Sequence, residues 1–142
     1  MEKTNLRLIE VLNKKGERKS PNLPSGIKNF VIDIDGVVCE DIPNEEPGRM
    51  VNALEIPGAK EQINEWFNEG HIISFFSSRT EDLRKITEEW LSKNGFKYHN
   101  LILGKPRGGN YHYIDNTHVR ATTLKGKFNK FIYRYKKIQT FE

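Results

Sequence analysis

Apolar positions along the chain follow two alternating periods. Phe30-Val31-Ile32, with Ile34, is a short apolar run rich in β-branched residues and ended by Gly36. That is the pattern of a strand buried in a parallel sheet. Pro57-Gly58 then opens a stretch in which Ala59, Ile63, Trp66 and Phe67 fall at i, i+4, i+7 and i+8, and Gly70 closes it. This spacing predicts a helix. His71 to Phe76 reads as a second buried strand. Thr80 is the predicted N-cap of a second helix, with Glu81 and Asp82 in its first turn and Leu83, Ile86, Trp90 and Leu91 on its apolar face. Asn94-Gly95 stops it. Leu101 to Leu103 is a third strand and Tyr111 to Ile114 a fourth. Strands alternating with helices predict βαβ units and an open parallel α/β sheet, with functional groups at the carboxyl ends of the strands.

The 142 residues suffice for a single domain. Residues 29–120 form its expected catalytic core. Residues 1–28 are expected to supply a helix over Leu6–Leu12 and then a connecting loop, and residues 121–142 a basic, aromatic extension with a last strand or helix over 128–135. No apolar run approaches the ~20 residues that cross a bilayer, and no apolar core follows Met1-Glu2-Lys3-Thr4 as a secretory signal requires. Cys39 is the single cysteine, which excludes an intrachain disulfide and any multi-cysteine metal site. A cytoplasmic setting is the expectation.

The net charge of +4 is unevenly distributed. Residues 29–119 carry nine basic and fifteen acidic side chains, whereas residues 120–142 carry seven basic and one acidic. A basic tail can touch nucleic acid or an anionic surface. The favoured reading is a solvated edge or a contact with the acidic middle of a neighbouring subunit.

Each predicted strand ends in polar residues. Asp33-Ile34-Asp35-Gly36 follows the first; two carboxylates at i and i+2 project to one side and repel unless a cation or proton lies between them. Gly36 lets the chain turn away from the sheet edge. The second strand ends in Ser77-Ser78-Arg79, the third in Gly104-Lys105-Pro106-Arg107-Gly108-Gly109, and the fourth in Asp115-Asn116. The four clusters together are far more specific than any one of them.

The order DIDG, a Ser after an apolar strand, GKP and YIDN resembles the haloacid dehalogenase-like (HAD) superfamily of phosphotransferases over residues 29–120. FFSSR, LILGKPRGG and YIDNTHVR are similar to small BcbF-type phosphatases of capsule polysaccharide biosynthesis. The resemblance implies a three-layer Rossmann-like fold around a central parallel sheet. It also implies Asp33 as nucleophile, forming an aspartyl-phosphate, with Asp35 as general acid and then base. Ser77 would bond a phosphoryl oxygen, and Lys105 would neutralise charge and hold Asp33. Mg²⁺ would be bound by the Asp33 carboxylate, the Asp35 carbonyl and Asp115. Asn116 stands where many relatives carry a second acid, which weakens the charge at the metal. Gly36, Ser78, Arg79 and Asn116 are expected to contact substrate, with Arg49 and its flap (Glu40–Met50), Arg107, His118 and Arg120 as further candidates. Val37 to Ile56 is long enough for a short flap or hairpin but not for a separate cap domain. The open site then takes large substrates or is completed by a second subunit.

The implied activity is hydrolysis of a small phosphorylated metabolite, with a sugar phosphate of polysaccharide or heptose metabolism as the expected substrate. Nucleic acid and membrane are not expected partners. Two alternatives stand beside it: a phosphoacceptor or binding module of similar architecture, and a polynucleotide phosphatase gripping its substrate with the basic termini. Other chemistries find little support. Cys39 is followed six residues later by Glu45 rather than the Arg of a CX5R loop, His71, His99, His112 and His118 show no metal-binding spacing, and no GxxxxGK[ST] is present.

Overall fold

The computed structural model describes residues 11–12, 14–16, 18–19 and 23–128. Three strands, β3 (Asn29–Ile32), β4 (Ile72–Phe76) and β5 (Asn100–Ile102), form a parallel sheet in sequential order, with Phe30 beside Ile73 and Phe75 beside Leu101. Helix α1 (Ala59–Asn68) connects β3 to β4, and helix α2 (Arg84–Lys93) connects β4 to β5. The alternating periods therefore locate three strands and two helices to within a few residues.

Both helices end alike. The N–H of Gly70 donates to Phe67 O and that of His71 to Trp66 O, while Gly95 donates to Ser92 O and Phe96 to Leu91 O. This paired closure needs a left-handed residue, and Gly70 and Gly95 supply it at φ of 95° and 76°. At the start of α2 the expectation changes in detail. Thr80 is extended but its side chain makes no cap bond, and one 3₁₀ turn over Glu81–Leu83 precedes the α-helix.

A sequential strand order crossed twice by the same hand places both helices on one face. Ile63 and Trp66 of α1 and Trp90 and Leu91 of α2 indeed share one buried cluster with Ile32, Ile73, Phe75 and Leu101. Phe30 stacks on Trp66 at 4.0 Å. On the opposite face Val31 is 62% exposed and Ile102 40% exposed. Among the described residues there are thus two layers, and the expected third layer is not among them. None of the described helices is long and apolar enough to cross a membrane.

The flanks differ from expectation. Val11–Leu12, the end of the predicted N-terminal helix, is strand β1, paired antiparallel with β2 (Arg18–Lys19) inside the predicted loop. A Lys-Lys-Gly turn with Gly16 at φ 77° lies between them, and a tight reversal of this kind favours pairing over helix. The rest of the predicted helix lies outside the described residues. Tyr111–Ile114 forms no strand; Tyr111, Tyr113 and Ile114 are exposed, Ile114 by 77%. The segment follows three left-handed residues, Gly108, Gly109 and Asn110, and its polar bonds are local: Tyr113 Oη donates to Asp115, as does the Thr117 amide. Of the C-terminal extension, Phe128 is buried edge-on to Trp66, with its N–H donating to Pro57 O at 3.1 Å. The predicted element over 128–135 otherwise lies outside the described residues.

His99 ties the start of β5 to β4. Its Nδ1 accepts the Ile73 N–H at 3.0 Å, its ring stacks on Phe67, and burial pushes its pKa down. Protonation would end the Ile73 bond. As pH falls below about 6.5 the unfolded chain takes up a proton before the folded one. The stability due to neutral His99 is thus complete above that pH and is lost as pH falls towards the depressed folded value. Melting curves from pH 8 to pH 5 are expected to decline more steeply for wild type than for His99→Gln; identical slopes would contradict this assignment.

Candidate active site

The carboxyl ends of the three parallel strands converge. Leaving β3, the chain runs Asp33-Ile34-Asp35-Gly36, and Gly36 turns at φ 81° with its N–H donating to Cys39 O. Ile34 O gathers the amides of Val37 and Val38, so the turn is tight and Ile34, Val38 and Cys39 are buried beneath it. The Val37–Ile56 insertion closes on itself. The Glu40 N–H donates to Leu54 O and the Ile56 N–H to Val38 O, both at 2.9 Å. Trp90 Nε1 donates to Ala53 O at 3.0 Å, which fastens the insertion to α2. It is a flap of the expected size.

Asp33 Oδ1 accepts the Ile34 N–H at 2.8 Å and faces Lys105 Nζ at 3.1 Å. Lys105 is largely buried, its ammonium lying 5.1 Å from the centre of the Tyr111 ring and 5.8 Å from that of Phe76. Such rings favour a cation and exclude water around it. The Lys105 N–H donates to Ser77 O, and the Ser77 N–H to Ile102 O, so β4 and β5 hold Ser77 and Lys105 in register. Ser77 Oγ accepts the Arg79 N–H at 3.1 Å. Ser77 is fully buried, and its hydroxyl donates to none of the described residues.

Asp35 has a different neighbour from the one expected. Arg79 Nε donates to Asp35 Oδ2 at 3.0 Å and Nη2 to Oδ1 at 2.8 Å, a two-pronged pair, while Nη1 donates to Thr87 Oγ1 at 2.9 Å. Arg79 is 1% exposed. Expected as a substrate contact, it is instead an internal strut, because its fork matches the Asp35 carboxylate. Thr87 escaped the sequence reading, although a polar residue on the buried stripe of α2, between Leu83 and Trp90, is the signal that could have found it. Cys39 lies beside this pair, and burial, then the charge of Asp35, push its thiol up to about 12. It stays protonated, which removes it as a nucleophile.

The remaining predicted residues are scattered. Ser78 is half-buried, and its carbonyl accepts Asn44 Nδ2 from the flap at 3.1 Å. Arg107 is exposed and reaches Glu45 of the flap at 3.5 Å, while Arg49 pairs with Glu46 inside the flap. His118, Arg120 and Asn116 are exposed. Asp115 is exposed as well, its carboxyl held below the usual range by the Tyr113 hydroxyl and the Thr117 amide. The structure thus brings Asp33, Asp35, Ser77 and Lys105 together and leaves Asp115 apart.

Asp33 and the Asp35 carbonyl are hard oxygen donors of the kind Mg²⁺ takes. Among the described residues, however, no three His, Cys, Asp or Glu side chains are grouped to hold a metal ion. The arrangement as it stands does not form a metal cage.

No family model matches the chain, and no curated protein does. Solved structures do. An MCSG target from Vibrio cholerae aligns with a TM-score of 0.50 at 25% identity, over 66% of this chain and 84% of that one. A chain of the Pnkp1/Rnl/Hen1 complex aligns with a TM-score of 0.50 at 18% identity over 78% of this chain, which spans only 43% of that longer one. These matches establish a shared α/β fold.

Proposed function

We propose that the chain is a phosphomonoester hydrolase that works through an aspartyl-phosphate on Asp33. The observation that carries this reading is the Lys105–Asp33 contact, set beside Ser77 and Asp35 at the ends of three adjacent parallel strands. Asp33 has an oxygen free to attack phosphorus while Lys105 fixes the other and offsets charge. Ser77 would give its proton to a phosphoryl oxygen. Asp35, two residues from the nucleophile, would protonate the leaving oxygen and then take a proton from water. A receiver-like phosphoacceptor keeps its acidic pair and its phosphorylated Asp on different strands, and here one strand end carries both.

The reading includes a Mg²⁺ requirement, with Asp33 and the Asp35 carbonyl as donors; Mg²⁺ would offset the repulsion between carboxylate and phosphate. Asp115 is the proposed third donor, and the edge of β3 away from β4, which pairs with no described strand, is where its segment would come to them. The proposed substrate is a small sugar phosphate in an open site that a second subunit completes. Exposed Tyr111 and Tyr113, which flank His112 and follow Arg107, favour a second reading in which a phosphorylated polynucleotide stacks on the rings. The Pnkp1/Rnl/Hen1 assembly is an RNA repair complex, though the likeness to it shows no more than the fold.

Phosphate release from sugar phosphates, nucleotides and 5′- or 3′-phosphorylated oligonucleotides, with Mg²⁺ or with EDTA, tests both readings. Turnover of sugar phosphates that EDTA abolishes is the expected result. Preference for oligonucleotides would select the second reading, and no release from any class would overturn the hydrolase assignment.

A further inference from the structure

Arg79 touches two of the four proposed catalytic residues directly and the chain neighbour of a third. Its guanidinium grips both oxygens of Asp35, its N–H donates to Ser77 Oγ, and its carbonyl accepts the N–H of Gly104, next to Lys105. The third arm of the guanidinium reaches Thr87 Oγ1, which donates in turn to Leu83 O at 2.8 Å. A single buried relay therefore runs from the first turns of α2, through the end of β4, to the carboxylate that follows β3. A residue that served only packing would not need its planar fork aimed at one carboxylate; Arg is the side chain suited to fixing a carboxylate plane through two parallel bonds.

We propose that Arg79 is the positioning residue for the hydrolytic half of the reaction, holding Asp35 in the orientation from which it takes a proton from the attacking water. The inference rests on the phosphatase reading above. In that half-reaction the water oxygen forms a bond to phosphorus as the bond from phosphorus to the Asp33 oxygen breaks. Asp33 departs as a carboxylate with the electron pair, and the water proton passes to an Asp35 oxygen. Asp35 Oδ1 accepts from Arg79 Nη2 and from the Cys39 thiol, whereas Oδ2 accepts from Arg79 Nε alone and keeps a second lone pair for that proton. Freed from the fork, the carboxylate can rotate about its side-chain bonds, and water activation loses its geometry while Asp33 remains able to attack. Thr87 acts one step further back, by fixing the guanidinium that fixes Asp35.

The two half-reactions can be separated with acetyl phosphate as the donor. Its acetate leaves as an anion and needs no proton, so phosphorylation of Asp33 bypasses Asp35, whereas hydrolysis does not. Wild type, Arg79→Met, Arg79→Lys and Thr87→Val are compared for the rates at which phosphoenzyme forms and decays, with thermal melts to report folding. Arg79→Lys keeps the charge without the fork, and Thr87→Val keeps the shape of a buried side chain, so the test survives if Arg79→Met does not fold. The expected result is formation close to wild type in the folded variants, with decay slowed about 10²-fold in both Arg79 variants and less in Thr87→Val. Unchanged decay, full rescue by Arg79→Lys, or equal slowing of both steps would each overturn the proposal and leave Arg79 as scaffold. Absence of phosphoenzyme in wild type would instead overturn the phosphatase reading, and this inference with it.

Discussion

Asp33→Asn is expected to reduce phosphate release by at least about 10³-fold while leaving the fold in place. The amide cannot serve as the nucleophile, yet it fits the same space and can still accept the Ile34 N–H. Asp33 is 37% exposed on its side chain but Lys105 only 11%, so losing the charge of their pair is expected to cost about 1 to 3 kcal/mol, less than full unfolding of the domain requires. Steady-state phosphate release and a thermal melt on the same preparation check both halves. Retained activity would remove Asp33 from the mechanism, whereas loss of activity together with unfolding would leave its role undecided between chemistry and structure, and so contradict the stability half.

Asp35→Ala is expected to behave in the opposite way. Its carboxylate is the counter-ion of Arg79, whose side chain is 2% exposed, and removing one partner leaves a buried charge uncompensated. The expected loss is roughly 3 to 5 kcal/mol, or a fall of about 10 °C in Tm for a domain of this size. Replacing both partners, Asp35→Ala with Arg79→Met, is expected to recover most of that loss, because the uncompensated charge goes with its partner. A double-mutant cycle in melts reads the coupling directly. Additive losses would show that the pair contributes nothing of its own.

These two aspartates differ in ways only partly legible in the chain. The run before Asp33, the helical spacing from Ala59 to Phe67 and the punctuation by Gly70 and Gly95 are local signals, and local signals located β3, β4, β5, α1 and α2. The positions of Ser77 and Lys105 followed from them, since residues at the carboxyl ends of adjacent parallel strands are neighbours by topology. The role of Arg79 did not follow. Next to Ser77 and Ser78 it reads as a phosphate ligand, and only the third dimension brings the Asp35 carboxylate and Thr87 to its guanidinium. Tyr111 to Ile114 failed for a related reason. Its alternation suits a strand, but a strand needs a partner edge, and Gly108, Gly109 and Asn110 direct the backbone into turns first. At the amino end, Val11–Leu12 carries as much strand as helix propensity, and the Lys-Lys-Gly reversal decides the matter through pairing with Arg18–Lys19, a contact that no helical period reveals.

The central claim is that Asp33 carries the phosphoryl group, and chemical trapping tests it most directly. Wild-type protein is incubated with acetyl phosphate and Mg²⁺, reduced with borohydride, which converts an aspartyl-phosphate to homoserine, and mapped by peptide mass spectrometry. Homoserine at position 33, absent without the donor and absent from Asp33→Asn, is the predicted result. An unmodified Asp33 in protein that releases phosphate, or homoserine at another aspartate, would contradict it.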